Sequence, residues 1–143
     1  MSGSMELIPI GIIRSPYHKP GQAPRQGRLS SEVSRIEVRA EFLPGVGDLG
    51  RSSHIFVLYW LDKADRTMLF AVPPGTLEPR PVFCTRSPHR PNPIGLGIAR
   101  VEEIAANVIK VTGLDAFDGT PVIDIKPYSR DIDCIPDAKN EIS

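Results

Sequence analysis

Apolar residues in this chain come in short runs separated by proline and glycine turns, the pattern of strands rather than of long helices. Residues 7–14 (LIPIGIIR) are rich in β-branched side chains and stop at Ser15-Pro16, as a first strand would. Residues 34–42 alternate polar and apolar with period two, which predicts a strand with Arg35, Glu37, Arg39 and Glu41 on its wet face. The run HIFVLYWL at 54–61 is continuously apolar, too short for a typical helix, and reads as a central strand. Further strands are expected at 67–72, 81–85, 94–104, 108–114 and 122–125. Together they predict an all-β fold: a small antiparallel β-barrel, closed or nearly closed, with room for one short helix and with long functional loops. The longest loop, residues 17–30, is polar and basic with Pro20, Gly21, Pro24 and Gly27, and long loops inside a small domain usually carry function.

Composition sharpens this picture. A chain of 143 residues with 41% hydrophobic content suits one domain and one core. Its fifteen prolines are about twice the usual share of roughly 5%, which again disfavours long helices. Residues 1–5 read as an expression scar or disordered start, 6–128 as the barrel domain, and 129–143 as a polar, acidic, loosely held tail. The formal net charge of zero hides an asymmetry: thirteen Lys/Arg against eight Asp/Glu up to Arg100, then four against nine. That excludes a uniformly basic nucleic-acid binder and permits a local basic face. No run approaches a membrane span and no signal peptide opens the chain, so a soluble, cytoplasmic protein is expected. Cys84 and Cys134 are isolated, without a CxxC pair or a His at ligand spacing, which argues against zinc and suits a reducing compartment.

Two motifs compete for attention. Residues 45–50 match GxGxxG, with Asp65 placed where a dinucleotide fold has its ribose acid. That fingerprint must open a helix, whereas here a strand follows within a few residues and Pro44 precedes it, so we read a glycine-rich turn. Far more specific is TRSPHRPNPIGL at 85–96, in which three prolines stiffen a polar loop between two strands. Its Arg86, His89, Arg90 and Asn92 suit carboxylate or phosphate oxygens and base edges. Composition alone leaves equally open a solvated loop whose ion pairs are worth at most ~1 kcal/mol each.

The segments PIGIIRSP, APRQ, SHIFVLYW, TRSPHRPNPIGL and LDAFDGTPVIDIKPY, in that order between about Ile10 and Tyr128, resemble the TsaA-like family, also called TrmO. The resemblance implies a small β-barrel methyltransferase that uses S-adenosylmethionine, acts as a homodimer and methylates the exocyclic N6 nitrogen of threonylcarbamoyladenosine just 3′ of the anticodon in tRNA. It places S-adenosylmethionine against Pro24, Arg25 and Gln26, against Arg86 and Leu96, and against the turn Phe117, Asp118, Gly119 and Thr120. Leu61, Asp62 and Lys63 should lie nearby, although many members carry a His where Asp62 stands. Bacterial members often continue past DIKPY with a further domain; this sequence resembles the short form.

The chemistry asks for a cation to hold the donor carboxylate, which Arg25 or Arg86 supplies, and for acceptors near the sulfonium, which loop carbonyls and Asp118 supply. Transfer is an in-line displacement that aligned groups accelerate, and it requires no metal. Asp118 and His89 are the candidate catalytic bases, although Asp118 is equally suited to cap an Asp-Gly turn and His89 to lie on the surface. Lys19, Arg28, Arg90 and Asn92, with Arg25 and Arg86, are the candidate contacts to the anticodon loop of tRNA. The competing reading is a non-catalytic barrel that binds S-adenosylmethionine or a nucleotide as a sensor or adaptor.

Overall fold

Alternation along each strand decides which side chains fill this barrel. The computed structural model describes residues 3–19, 22–24 and 31–142. In chain order its strands are β1 (Gly11–Arg14), β2 (Val33–Val38), β3 (His54–Trp60), β4 (Phe70–Ala71), β5 (Arg80–Pro81), β6 (Ile94–Ala105), β7 (Val108–Thr112) and β8 (Thr120–Pro127), followed by the one-turn helix α1 (Arg130–Asp133). Six of them close an antiparallel barrel in the ring order β1, β2, β7, β6, β3, β8, so the predicted all-β barrel forms and is fully closed. Every second residue points inward: Ile13; Ile36 and Val38; Ile55, Val57 and Tyr59; Ala99; Ile109 and Val111; Val122. Each such Ile or Val contributes about 1.5–3 kcal/mol relative to exposure. The apolar run of β3 is therefore not buried on both faces: Phe56, Leu58 and Trp60 stay half exposed.

Several expected strands are shorter than their apolar patterns, for identifiable reasons. Residues 7–10 do not join the sheet as a strand, and Leu7 and Ile8 are exposed. Pro9 has no N–H to give a ladder, and Ile10 makes the backbone bridge, donating to the Val122 carbonyl at 2.9 Å and accepting from the Arg39 N–H at 2.8 Å, while the Pro9 carbonyl accepts from Arg39 Nη1 at 3.1 Å. The alternating pattern of 34–42 stops being a strand at Val38, where the chain coils into the 3-10 turn Ala40–Gly45 and packs Phe42 against the core. Arg39 and Glu41 then pair with each other at 2.9 Å instead of alternating along a ladder. The glycine-rich stretch 45–50 runs from this turn into a second 3-10 turn, Leu49–Arg51, and opens no helix. Residues 67–72 and 81–85 keep only β4 and β5, a two-stranded arm outside the barrel, with Val82–Cys84 as a 3-10 turn. Pro73, Pro74, Pro79 and Pro81 leave this arm too few donors for a longer ladder. Strand β7 ends two residues early because Gly113, at φ +95°, turns the chain so that Leu114 plugs the core. Within the acidic tail, α1 is held at its start by the Ser129 N–H donating to the Asp133 carboxylate at 2.8 Å. Among the described residues no helix is long and apolar enough to cross a membrane.

One close approach governs the interior. Gly95 of β6 stands directly across from Tyr59 of β3, and the Tyr59 ring lies over it, so that a Cβ on Gly95 would overlap the ring. Replacing Gly95 by Ala is expected to destabilise the protein by about 1–3 kcal/mol, the usual cost of overpacking a filled core. Gly45→Ala, where no atom lies within 4 Å of the added methyl, is expected to leave the urea midpoint unchanged.

Candidate functional site

Antiparallel order brings three connections to one end of the barrel: residues 15–32 between β1 and β2, 61–93 from β3 to β6 through the arm, and 113–119 between β7 and β8. Between them lie two neighbouring cavities of about 350 and about 530 Å3, and Leu61, Pro88 and Phe117 line both. The smaller is lined by Asp62, Lys63, His89, Asp118, Gly119 and Thr120, together with His18. The larger is lined by Pro24, Arg86, Arg90 and Leu96, together with Tyr59, Gly95 and Asp115. The structure thus gathers most of the residues singled out in the sequence. Lys19 and Asn92 line neither of these cavities, and Arg25, Gln26 and Arg28 lie outside the described residues.

The turn at 117–120 is sewn to the first loop. Phe117 O accepts the Thr120 N–H at 3.2 Å and the Thr120 hydroxyl at 2.7 Å, with Gly119 at φ +87° as such a turn requires. The Asp118 N–H donates to Tyr17 O at 2.7 Å and the Gly119 N–H to Ile13 O at 2.8 Å. Asp118 Oδ1 accepts the Ser15 N–H at 3.1 Å, while Oδ2 lies 3.9 Å from His18 Nδ1. Asp118 therefore both pins the turn and faces the cavity.

The proline-stiffened loop is held together by its own arginine. Arg90 Nη1 donates to Thr85 O at 3.1 Å and to Ser87 O at 3.0 Å, and Nη2 donates to Val82 O at 2.8 Å. A residue expected to meet phosphate is thus committed to folding the loop that carries Arg86. Asn92 is likewise engaged, its Oδ1 accepting from Arg66 Nη2 at 3.2 Å. Arg66 also donates through Nε to Pro91 O at 2.8 Å and stacks 5.1 Å above the Trp60 ring. Nothing in the sequence marked Arg66 as the clamp between the β3 end and this loop, because its two loop partners, Pro91 and Asn92, are distant in the chain.

His89 Nδ1 accepts the Asp65 N–H at 2.9 Å. The neutral ring that satisfies this bond carries its proton on Nε2, so His89 offers the cavity a donor rather than a base. Asp65 itself is held below the usual carboxylate range, first by the Thr67 hydroxyl and then by the Thr67 N–H.

Beneath the larger cavity, the Tyr59 hydroxyl donates to Asp115 Oδ1 at 2.7 Å. Burial, and then the Asp115 charge, push the Tyr59 phenol far above its ordinary value. In the sequence Tyr59 read as one more apolar strand residue and Asp115 as part of a motif; only folding joins them. Among the described residues, no three His, Cys, Asp or Glu side chains gather as a metal centre.

Comparison with known proteins gives a consistent picture. Residues 12–134 match the family described as the tRNA-methyltransferase O N-terminal domain. A protein of Archaeoglobus fulgidus named S-adenosyl-L-methionine-binding protein is 53% identical over 131 residues, covering 92% of this chain and 94% of its own length. A second protein of that organism, named probable S-adenosyl-L-methionine-binding protein, is 51% identical over 135 residues; the match covers 94% of this chain and 37% of that relative. The Escherichia coli protein named tRNA (adenine(37)-N6)-methyltransferase is 35% identical over 149 residues, covering 94% of this chain and 62% of its own. A crystal structure of TrmO from Pseudomonas aeruginosa superimposes with a TM-score of 0.82 at 33% identity, covering 99% of this chain and 63% of that one. The chain thus spans about three-fifths of the length of these two bacterial proteins.

Two outcomes follow from this geometry. Arg90→Lys, which cannot fork to three carbonyls, is expected to lower the unfolding free energy by about 1.5–3 kcal/mol in urea titration. The second concerns alkaline stability. The folded phenol of Tyr59 keeps its proton where an unfolded tyrosine, near its ordinary value of about 10, gives it up. Its stabilising contribution is complete below that value and falls as pH rises past it, so Tyr59→Phe should flatten the loss of stability measured between about pH 9 and 11.

Proposed function

Because this chain belongs to the tRNA-methyltransferase O family, we propose that it is an S-adenosylmethionine-dependent methyltransferase acting on the N6 nitrogen of threonylcarbamoyladenosine beside the anticodon of tRNA. The observation that carries this reading is the pair of cavities meeting at Phe117, one holding Arg86 and the other the Asp118-Gly119-Thr120 turn. Each cavity falls within the roughly 300–1,000 Å3 typical of small-molecule sites. The donor set fits as well: a guanidinium for a carboxylate, an apolar wall from Leu61, Pro88 and Phe117, and a carboxylate at Asp118.

When bound, S-adenosylmethionine supplies an electrophilic methyl group on a sulfonium. Arg86 holds a carboxylate in the larger cavity through charge-assisted hydrogen bonds. Leu61, Pro88 and Phe117 form the apolar wall where the two cavities meet, and alignment of the reacting atoms there does most of the work. Asp118, fixed through Oδ1 by the Ser15 N–H, takes the departing proton on Oδ2. His89, with Nδ1 occupied, donates through Nε2 and orients an oxygen of the acceptor. The carbamoyl group acidifies the attacking N–H, which eases its removal by the Asp118 carboxylate.

Lys19 and Arg28 are the proposed contacts to the anticodon-loop phosphates, while Arg90 and Asn92 serve recognition through the shape they give their loop. The reading includes a cytoplasmic setting, where tRNA is met, and a second copy of the chain. The arm supports the latter, since Leu69, Phe70, Leu77 and Phe83 are exposed on it and association is the usual use of such apolar surface. A binding-only protein is the competing reading, favoured by the name of the archaeal relative that this chain covers almost end to end.

The deciding experiment incubates the purified protein and S-adenosylmethionine with tRNA from cells that make, or lack, the threonylcarbamoyl modification, and reads the nucleosides by mass spectrometry. Methylation of the modified tRNA alone is expected. Equal labelling of both tRNAs overturns the substrate; labelling of neither, with donor binding intact by calorimetry, establishes the binding-only protein.

A further inference from the structure

The larger cavity contains an acidic side chain with no part in the chemistry described so far. Asp115 lies between Leu114 and Ala116, 1% and 3% exposed, so its backbone is anchored on both sides in the core. Its own side chain reaches the cavity wall half-buried. The Tyr59 hydroxyl holds Oδ1 at 2.7 Å, and Tyr59 is in turn fixed by the close approach of its ring to Gly95. A carboxylate has about four lone-pair sites, and the phenol of Tyr59 is its one hydrogen-bond partner among the described residues. The group is thus oriented in advance and has acceptor capacity left for a ligand.

Arg86 lines the same cavity. An α-amino acid carries its ammonium and its carboxylate on a single carbon, so a site that takes the carboxylate must take the ammonium within the same space. Among the described residues lining that cavity, Asp115 is the only carboxylate. We propose that Asp115 is a specificity-determining residue that receives the α-ammonium of the methyl donor, with Tyr59 as the residue that positions it. This rests on the reading that the larger cavity takes the amino-acid end of S-adenosylmethionine.

Asp115→Asn removes the charge while keeping an oxygen acceptor for the Tyr59 hydroxyl. Calorimetry with three ligands separates the alternatives: S-adenosylmethionine; S-adenosylhomocysteine, which keeps the ammonium without the sulfonium charge; and 5′-methylthioadenosine, which lacks the whole amino-acid end. The variant is expected to bind the first two about ten- to a hundredfold more weakly than wild type. Binding of 5′-methylthioadenosine is expected to be unchanged, which also reports that the variant is folded. Asp115→Ser, which offers Tyr59 a hydroxyl acceptor, is expected to give the same pattern and stands in if the Asn variant fails to fold. Loss confined to S-adenosylmethionine would assign Asp115 to the sulfonium and overturn the proposal. Equal loss of all three ligands would assign it to the nucleoside, and no loss of any would remove it from the site; both overturn the proposal while leaving the donor reading intact. Wild-type protein that binds none of the three overturns the donor reading itself.

Discussion

The structure depends on the seam where β8 returns to β1. Pairing of Ile13 with Thr120 and of Gly11 with Val122 closes the ring, and without it the barrel would be an open sheet with two exposed edges. Closure also builds the site, because the same seam continues past the strand ends. Gly119 and Asp118 donate their backbone N–H groups to Ile13 and Tyr17, and Ser15 answers with its N–H to the Asp118 carboxylate and its hydroxyl to the Ala116 carbonyl. Gly11 belongs to this arrangement, for a Cβ there would collide with the Glu37 backbone carbonyl across the β1–β2 pair. The barrel and the 117–120 turn are therefore one cooperative unit.

A six-stranded ring leaves no interior room for a ligand: its inward residues are the core. Chemistry is consequently moved to the loops at one end, which must then be made rigid without a core of their own. Prolines restrict the backbone of 88–93, and the arginines complete the task. Arg90 gathers three carbonyls of its own loop, and Arg66 ties that loop to the end of β3. Guanidinium groups suit this because one planar fork reaches several acceptors at fixed angles. The division of labour among Arg66, Arg86 and Arg90 is thus one of position: Arg66 and Arg90 organise carbonyls, while Arg86 and Arg90 line the larger cavity.

Much of this was legible in the chain. Period-two alternation, apolar runs of strand length and proline-glycine punctuation implied an all-β barrel, and the positions of β2, β3, β6 and β7 followed to within a few residues. The ends of elements were less legible, since Pro9 and the prolines of the arm cut ladders that the apolar pattern would have continued. The central block and the LDAFDGTP segment stood out through their resemblance to the TsaA-like family, because residue type alone left a solvated loop and a plain Asp-Gly turn equally open.

What the chain could not show is which of those polar groups face a ligand and which face the backbone. Arg86 and Arg90 lie four residues apart in a similar context, yet only folding commits Arg90 to the Val82, Thr85 and Ser87 carbonyls. His89 looked like a base until the Asp65 N–H, 24 positions away, occupied its Nδ1. Tyr59 and Asp115 lie 56 positions apart and have no shared pattern; they meet because the β3–β6 register sets the Tyr59 ring against Gly95 and Gly113 turns Asp115 toward it. Local sequence determines the period of burial and the chemistry on offer, since both depend on neighbouring residues. Hydrogen-bond partnership across a closed ring depends on register and loop path, and only the tertiary structure decides those.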